Sequence, residues 1–199
     1  MKKSRSLDFR SVLLTIGVVL VIGALVVVSY NSIASYLAEK KCEKIVEKIE
    51  ELIPEPISSF PEERGNNTMS SMQIEKMNVA GIIEMPQYDL KLPFCSSWDE
   101  KNSASVPCRF YGSVYDSSLI IGAVDSDWQF GFAKELELNN VLYLTDMEGY
   151  KYTYLIAKIE HSDSADAEKL MTNEYDLTLF IKRSLSMEYL IVRFNLKTS

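Results

Sequence analysis

The sequence predicts a mainly β fold: a closed barrel of seven or eight short strands with brief helices in its crossovers, preceded by a membrane-spanning helix and a helical stalk. Three observations carry this. From Val79 onward, short apolar runs recur at strand length, separated by proline, glycine and polar turns. Near the N-terminus, Val12 to Ser29 carries no charged side chain. Between these two regions, Asn31 to Ile53 is free of glycine and proline and rich in Ala, Glu, Lys and Leu.

The apolar run is just long enough to cross a bilayer as a helix. Lys2, Lys3, Arg5 and Arg10 precede it, whereas Glu39, Glu43 and Glu47 mix with Lys40, Lys41 and Lys44 after it. The positive-inside bias places residues 1–11 in the cytoplasm, 12–30 in the membrane as a single-pass anchor and the remainder outside the cell. A cleaved signal peptide is the competing reading, with Ser32-Ile33-Ala34 as a weak cleavage site, but the apolar stretch exceeds the usual signal core. In the stalk, 31–53, Ile45, Ile49, Leu52 and Ile53 share one helical face, and Pro54 and Pro56 end it. That stripe is expected to dock on the folded domain, since an exposed one is a liability. Residues 54–78 read as a linker, with Pro61, Gly65 and several serines. Its Asn66-Asn67-Thr68 matches a glycosylation acceptor, a pattern so short that it is taken only as loop composition.

The barrel domain is assigned to 79–199. Val79–Ile83 leads to Pro86, Tyr88–Leu92 alternates and stops at Pro93, and Arg109–Val114 and Ser118–Ala123 follow. Phe130–Leu136 has helical character. Val141–Asp146 and Lys151–Ile159 form a hairpin about Met147-Glu148-Gly149. Ala165–Met171 is a short helix, and Leu177–Ile181 and Tyr189–Leu196 are the closing strands.

The net charge of −7 makes nucleic acid a poor partner. Asp125, Asp127, Asp163 and Asp166 lie in expected loops, and Asp125-Ser126-Asp127 lacks the glycine and distal glutamate of a calcium loop, so no metal or cofactor is expected. Cys95 and Cys108 either pair as a disulfide in an oxidising exterior or are two unrelated small residues; sequence cannot give the geometry. Trp128, between Asp127 and Gln129, is the tryptophan expected to be exposed and to contact a peptide.

Several strings, in order, resemble class B-like sortases of clostridial type, which are surface transpeptidases of Gram-positive bacteria. Gly81-Ile82-Ile83-Glu84-Met85-Pro86 with Leu92-Pro93-Phe94 resembles the family's G-x-I-x-I-P…L-P-V. Pro107-Cys108-Arg109-Phe110-Tyr111-Gly112-Ser113 resembles P-C-R-Y-x-G-S, and Tyr143-Leu144-Thr145-Asp146-Met147-Glu148-Gly149 resembles F-T-D-M-D-G. Tyr175-Asp176-Leu177-Thr178-Leu179-Phe180 resembles W-D-L-T-L-F, and Leu119-Ile120-Ile121-Gly122-Ala123 resembles the strand that ends at the catalytic histidine. The resemblance implies a cysteine nucleophile, a histidine acid and an arginine that steadies the oxyanion. At the matching positions stand Lys182, Val124 and Tyr189; Arg193 matches a second arginine of the last strand and is a groove candidate. Acyl transfer needs a strong nucleophile, a proton donor and an oxyanion donor. The only histidine, His161, sits in an expected polar loop beside Glu160 and Asp163, which makes no dyad with a remote cysteine.

The resemblance therefore implies a membrane-anchored extracellular protein with the sortase fold and no intact catalytic set. Such a protein would bind or scaffold, with an active sortase or a pilin-type surface protein bearing a sorting signal as partner. An active transpeptidase using non-standard residues and a purely structural surface domain are the two alternatives.

Overall fold

The computed structural model describes residues 9–53, 68–172, 174–183 and 188–197. Most of the linker, including Pro54, Pro56, Asn66 and Asn67, lies outside the described residues. The chain separates into two compact units, the second beginning at Glu39.

The first unit is helical and belongs to α1 (Phe9–Leu52). Most of its large apolar side chains, among them Leu13, Leu14, Leu20 and Leu25, are exposed. A helix apolar on every side suits a hydrocarbon solvent, and this one is long and apolar enough to cross a membrane.

The second unit is an eight-stranded closed barrel with one additional strand. In chain order it contains β1 (Met72–Ile74), β2 (Met77–Met85), β3 (Leu90–Cys95), α2 (Glu100–Ser103), β4 (Cys108–Tyr111), β5 (Leu119–Val124), β6 (Val141–Asp146), β7 (Lys151–Ser162), α3 (Ala167–Leu170), β8 (Leu177–Lys182) and β9 (Tyr189–Leu196). The neighbours run β2-β3-β4-β5-β8-β9-β7-β6, and the pairing of β6 with β2 from Glu84↔Tyr143 to Gly81↔Asp146 closes the ring. β1 adds to β2 outside the ring. The pairs β3–β4 and β5–β8 are parallel and the rest antiparallel.

Closure leaves no open edge except where strands are short. Inside, Leu119, Ile121 and Ala123 of β5, Leu177, Leu179 and Ile181 of β8, and Leu190, Val192 and Phe194 of β9 are buried almost completely. At the β6–β7 turn, Gly149 takes a positive φ of 89°. The buried Asp146 organises that turn by accepting from the backbone N–H of Glu148 and of Tyr150, each at 3.0 Å, and from the hydroxyls of Tyr115 and Tyr152. Four donors offset the desolvation of the carboxylate.

The C-terminal part of α1 packs on the barrel. Cys42, Ile45, Val46 and Ile49 are buried, Ile53 partly so, whereas Leu52 is exposed. The docked face thus keeps Ile45, Ile49 and Ile53 of the sequence stripe, extends a turn earlier to Cys42 and leaves out Leu52. Lys48 bridges to Glu75 at 2.7 Å, and Lys91 joins Glu50 of the helix to Glu84 of β2.

Four expectations are corrected. Met72–Ile74 is a strand within the expected linker. Pro93 lies inside β3, opposite Ile82, and does not end it. Phe130–Leu136 is not helical throughout; only Ala133–Glu135 forms a 3-10 turn. His161 belongs to β7, not to a loop.

Candidate functional site

Strand register arranges the outer face of β5, β8 and β9 into three rows. Val124, Lys182 and Tyr189 are cross-strand partners in the first. Gly122, Phe180 and Ile191 form the second, and Ile120, Thr178 and Arg193 the third. Register partners project from the same face, with neighbouring Cβ atoms about 5 Å apart. The three positions matched to a catalytic set therefore meet at one end of these strands: β5 ends at Val124, β8 ends at Lys182 and β9 begins at Tyr189.

The first row is open. Lys182 is exposed, and Val124 and Tyr189 are half-buried. A lysine nucleophile is activated by desolvation or by a neighbouring cation; Lys182 stands in solvent, and the charge of Arg183 is paired with Asp125. The turn after β5 is held tightly. Asp125 N–H donates to the Lys182 carbonyl at 2.9 Å, and Arg183 pairs with Asp125 at 3.4 Å. The fully buried Gln129 accepts from Val124 N–H at 3.3 Å and donates to the Ser103 carbonyl at 3.4 Å, tying the turn to α2.

The second row is covered by aromatic rings. Trp98 lies 5.5 Å from Phe180 and 6.1 Å from Phe110, Phe110 meets Phe180 edge-on at 5.5 Å, and Phe180 lies 6.4 Å from Tyr189. These rings rest on the backbone of β5, because a Cβ at Gly122 would come within 2.2 Å of the Trp98 ring and 2.4 Å of the Phe180 ring. Phe180 also joins Ile120, Ile191 and Leu170 of α3 in a second apolar cluster.

The third row contains a buried arginine. Arg193 is 4% exposed; it donates to the Leu170 carbonyl at 2.7 Å, to Thr178 Oγ1 at 2.8 Å, to Glu160 at 3.3 Å and to the Lys169 carbonyl. Its guanidinium also lies over the Tyr175 ring. Its donors are directed at α3 and at the strands beside it, so it holds the crossover down. It lies four residues from Tyr189, or about 13 Å along the strand, and does not reach the first row. A cavity of about 270 Å³, lined by Tyr111, Asp116, Ser118, Ile120, Tyr175 and Thr178, opens beside this row.

The other sequence candidates are not register partners in the first row. His161 pairs with Leu190, whose parity is opposite to that of Tyr189, so it projects from the other face. Trp128 is half-buried and its indole N–H is enclosed without a partner, whereas the more exposed tryptophan is Trp98. Trp98 had no strand periodicity to mark it. Gln129 was detectable only as a polar residue beside an apolar run. Cys95 and Cys108 are buried register partners across β3 and β4. Among the described residues no group of three His, Cys, Asp or Glu is placed to hold a metal.

No family model matches the sequence, and no curated protein matches it. Solved structures do. Sortase C from Clostridium perfringens SM101 superposes with a TM-score of 0.52 at 19% identity, covering 61% of this chain and 71% of that one. Sortase C1 from Streptococcus agalactiae gives 0.53 at 20% identity, covering 63% and 71%. A C. perfringens sortase C structure solved with the C-terminal cell wall sorting motif gives 0.53 at 19%, covering 61% and 71%. The barrel has the sortase fold. At these identities the likeness is one of architecture, and activity must be argued from the site itself.

Proposed function

We propose that this protein is a sortase-fold binding module without transpeptidase activity, anchored by its N-terminal helix with the barrel outside the cell. Its partner is an active sortase or a pilin-type surface protein with a sorting signal, and its role is to hold that partner during surface assembly. One observation carries the reading: the row Val124–Lys182–Tyr189 joins three strand ends and offers no thiol, no imidazole and no guanidinium. Acyl transfer by a thiol needs all three functions, and loss of one member of such a set already removes most of the rate. The four basic residues before the apolar helix support the orientation.

The test is to incubate the purified barrel unit with peptides bearing sorting-type motifs and with an amine acceptor. Intact-mass measurement is expected to show no acyl adduct and no transpeptidation product, while partner peptides still bind. An acyl adduct on any cysteine would overturn the reading. The aromatic cover on the second row favours a second possibility, a purely structural surface domain. Absence of binding to every peptide and to a sortase would select it.

A further inference from the structure

Three cysteines from distant parts of the sequence meet where α1 packs on the barrel. Cys95 in β3 and Cys108 in β4 are register partners in a parallel pair. Their side chains therefore emerge on one face. Adjacent strands lie about 4.8 Å apart, inside the Cα separation of roughly 4.4–6.8 Å that a disulfide spans. The row continues from Cys108 to Gly122, so the pair belongs to the outer face of the barrel. Both residues are buried, and Cys42 of α1 is buried near them, with its thiol directed at the Ser105 carbonyl at 3.6 Å.

We propose that Cys95 and Cys108 close as a disulfide, stapling β3 to β4, and that Cys42 stays a thiol. These two strands pair at this one position alone, so the bond would fix the weakest seam of the ring.

Among the three thiols only Cys95 is held low, by a hydrogen bond from Cys108, which makes it the first attacker. Cys108 is raised chiefly by its hydrogen bond to Cys95, and that bond is lost once Cys95 enters a mixed disulfide. Burial pushes Cys42 up to about 11, against the lowering charge of Lys41. Thiolate is the attacking species. The Cys95 sulfur therefore attacks a small-molecule disulfide such as oxidised glutathione and releases one glutathione thiolate. The Cys108 sulfur then attacks the Cys95 sulfur and releases the second. The two protons lost by the cysteines go to the two glutathiones, so one external disulfide is reduced and one internal disulfide forms. The outward orientation proposed above places the pair in an oxidising exterior, but the pairing itself is a property of the fold and does not depend on that reading.

The test uses the folded full-length chain in detergent, incubated with glutathione disulfide in low urea to permit local opening. Remaining thiols are alkylated, and the chain is digested without reductant. The expected result is a linked pair of peptides carrying Cys95 and Cys108, with Cys42 alkylated. In Cys108→Ser the linked pair disappears, and in Cys42→Ser it persists. Alkylated Cys95 and Cys108 after prolonged oxidation, a bridge to Cys42, or glutathione retained on Cys95 would each overturn the proposal. Because the oxidant is added to purified protein, the result is independent of membrane orientation and of partner binding.

Discussion

Gly122 has no room for a side chain. Rings of Trp98 and Phe180 occupy the space that a Cβ needs. Gly122→Ala forces those rings aside, and overpacking of this kind costs about 1–3 kcal/mol. The expected outcome is a lower urea midpoint with a changed Trp98 emission; an unchanged midpoint would mean that the rings are not packed on the strand. The first row behaves differently, because it is open. Lys182→Cys, Val124→His and Tyr189→Arg together should leave the barrel folded, since Lys182 is exposed and Val124 and Tyr189 are only half-buried. A cation beside a thiol stabilises thiolate. The triple variant should alkylate roughly fivefold or more faster at pH 7 than Lys182→Cys alone. Equal rates in a folded protein would show that these side chains do not converge on the thiol. The strings before Val124 and Lys182, Leu119–Ala123 and Leu177–Phe180, mark in the sequence where β5 and β8 end. Trp98 and Gln129 were not legible there, since a ring laid over a distant glycine and an amide tied to another crossover are tertiary facts with no local pattern.

Elements were legible where burial repeats along the strand, and less so where a turn or an open edge decides. β6 and β9 have the expected bounds because each is an apolar, β-rich run with polar or turn residues at its ends. β1 was hidden because its turn uses Glu75 and Lys76, both at positive φ, in place of the glycine or asparagine that usually announces a tight hairpin. Pro93 is tolerated inside β3 because β4 pairs only at Cys95, leaving an open edge at the proline. The expected helix at Phe130 tightens into i→i+3 bonds, Ala133 to Phe130 and Glu135 to Phe132, while Phe132 stacks on Tyr88 at 4.2 Å. The docked part of α1 carries a pH prediction. Burial raises the Glu84 carboxyl, but the hydrogen bond from Lys91 and the charges of Lys151 and Lys91 outweigh it and hold it below its ordinary value of 4.5. A depressed carboxylate adds stability that is complete above its unfolded value and is lost as pH falls through the folded one. As pH falls from the ordinary carboxylate value of 4.5 through the lower folded one, the native protein should therefore lose stability more steeply than Glu84→Gln. Parallel stability–pH curves for the two proteins would exclude a contribution from this network.

At the scale of the whole molecule, the barrel depends on a segment that the sequence assigns to its stalk. The second compact unit begins at Glu39, inside α1. Cys42, Ile45, Val46 and Ile49 lie in the same core cluster as Val79, Phe94 and Cys108. The helix face is therefore part of the domain, and a boundary drawn at Val79 cuts through its core. Full burial of an isoleucine is worth about 1.5–3 kcal/mol, and Ile45 and Ile49 are both completely buried. Removing them takes away several kcal/mol from a domain whose whole stability is of the order of 5–15 kcal/mol. It also uncovers their apolar partners on the barrel, an aggregation liability. A chain spanning 39–199 is expected to be soluble and to unfold in one cooperative step. A chain spanning 68–199 is expected to aggregate, or to unfold at a clearly lower urea concentration, as measured by circular dichroism and size-exclusion chromatography. Equal midpoints for the two chains would show that the helix is only a spacer and that the barrel closes its core without it.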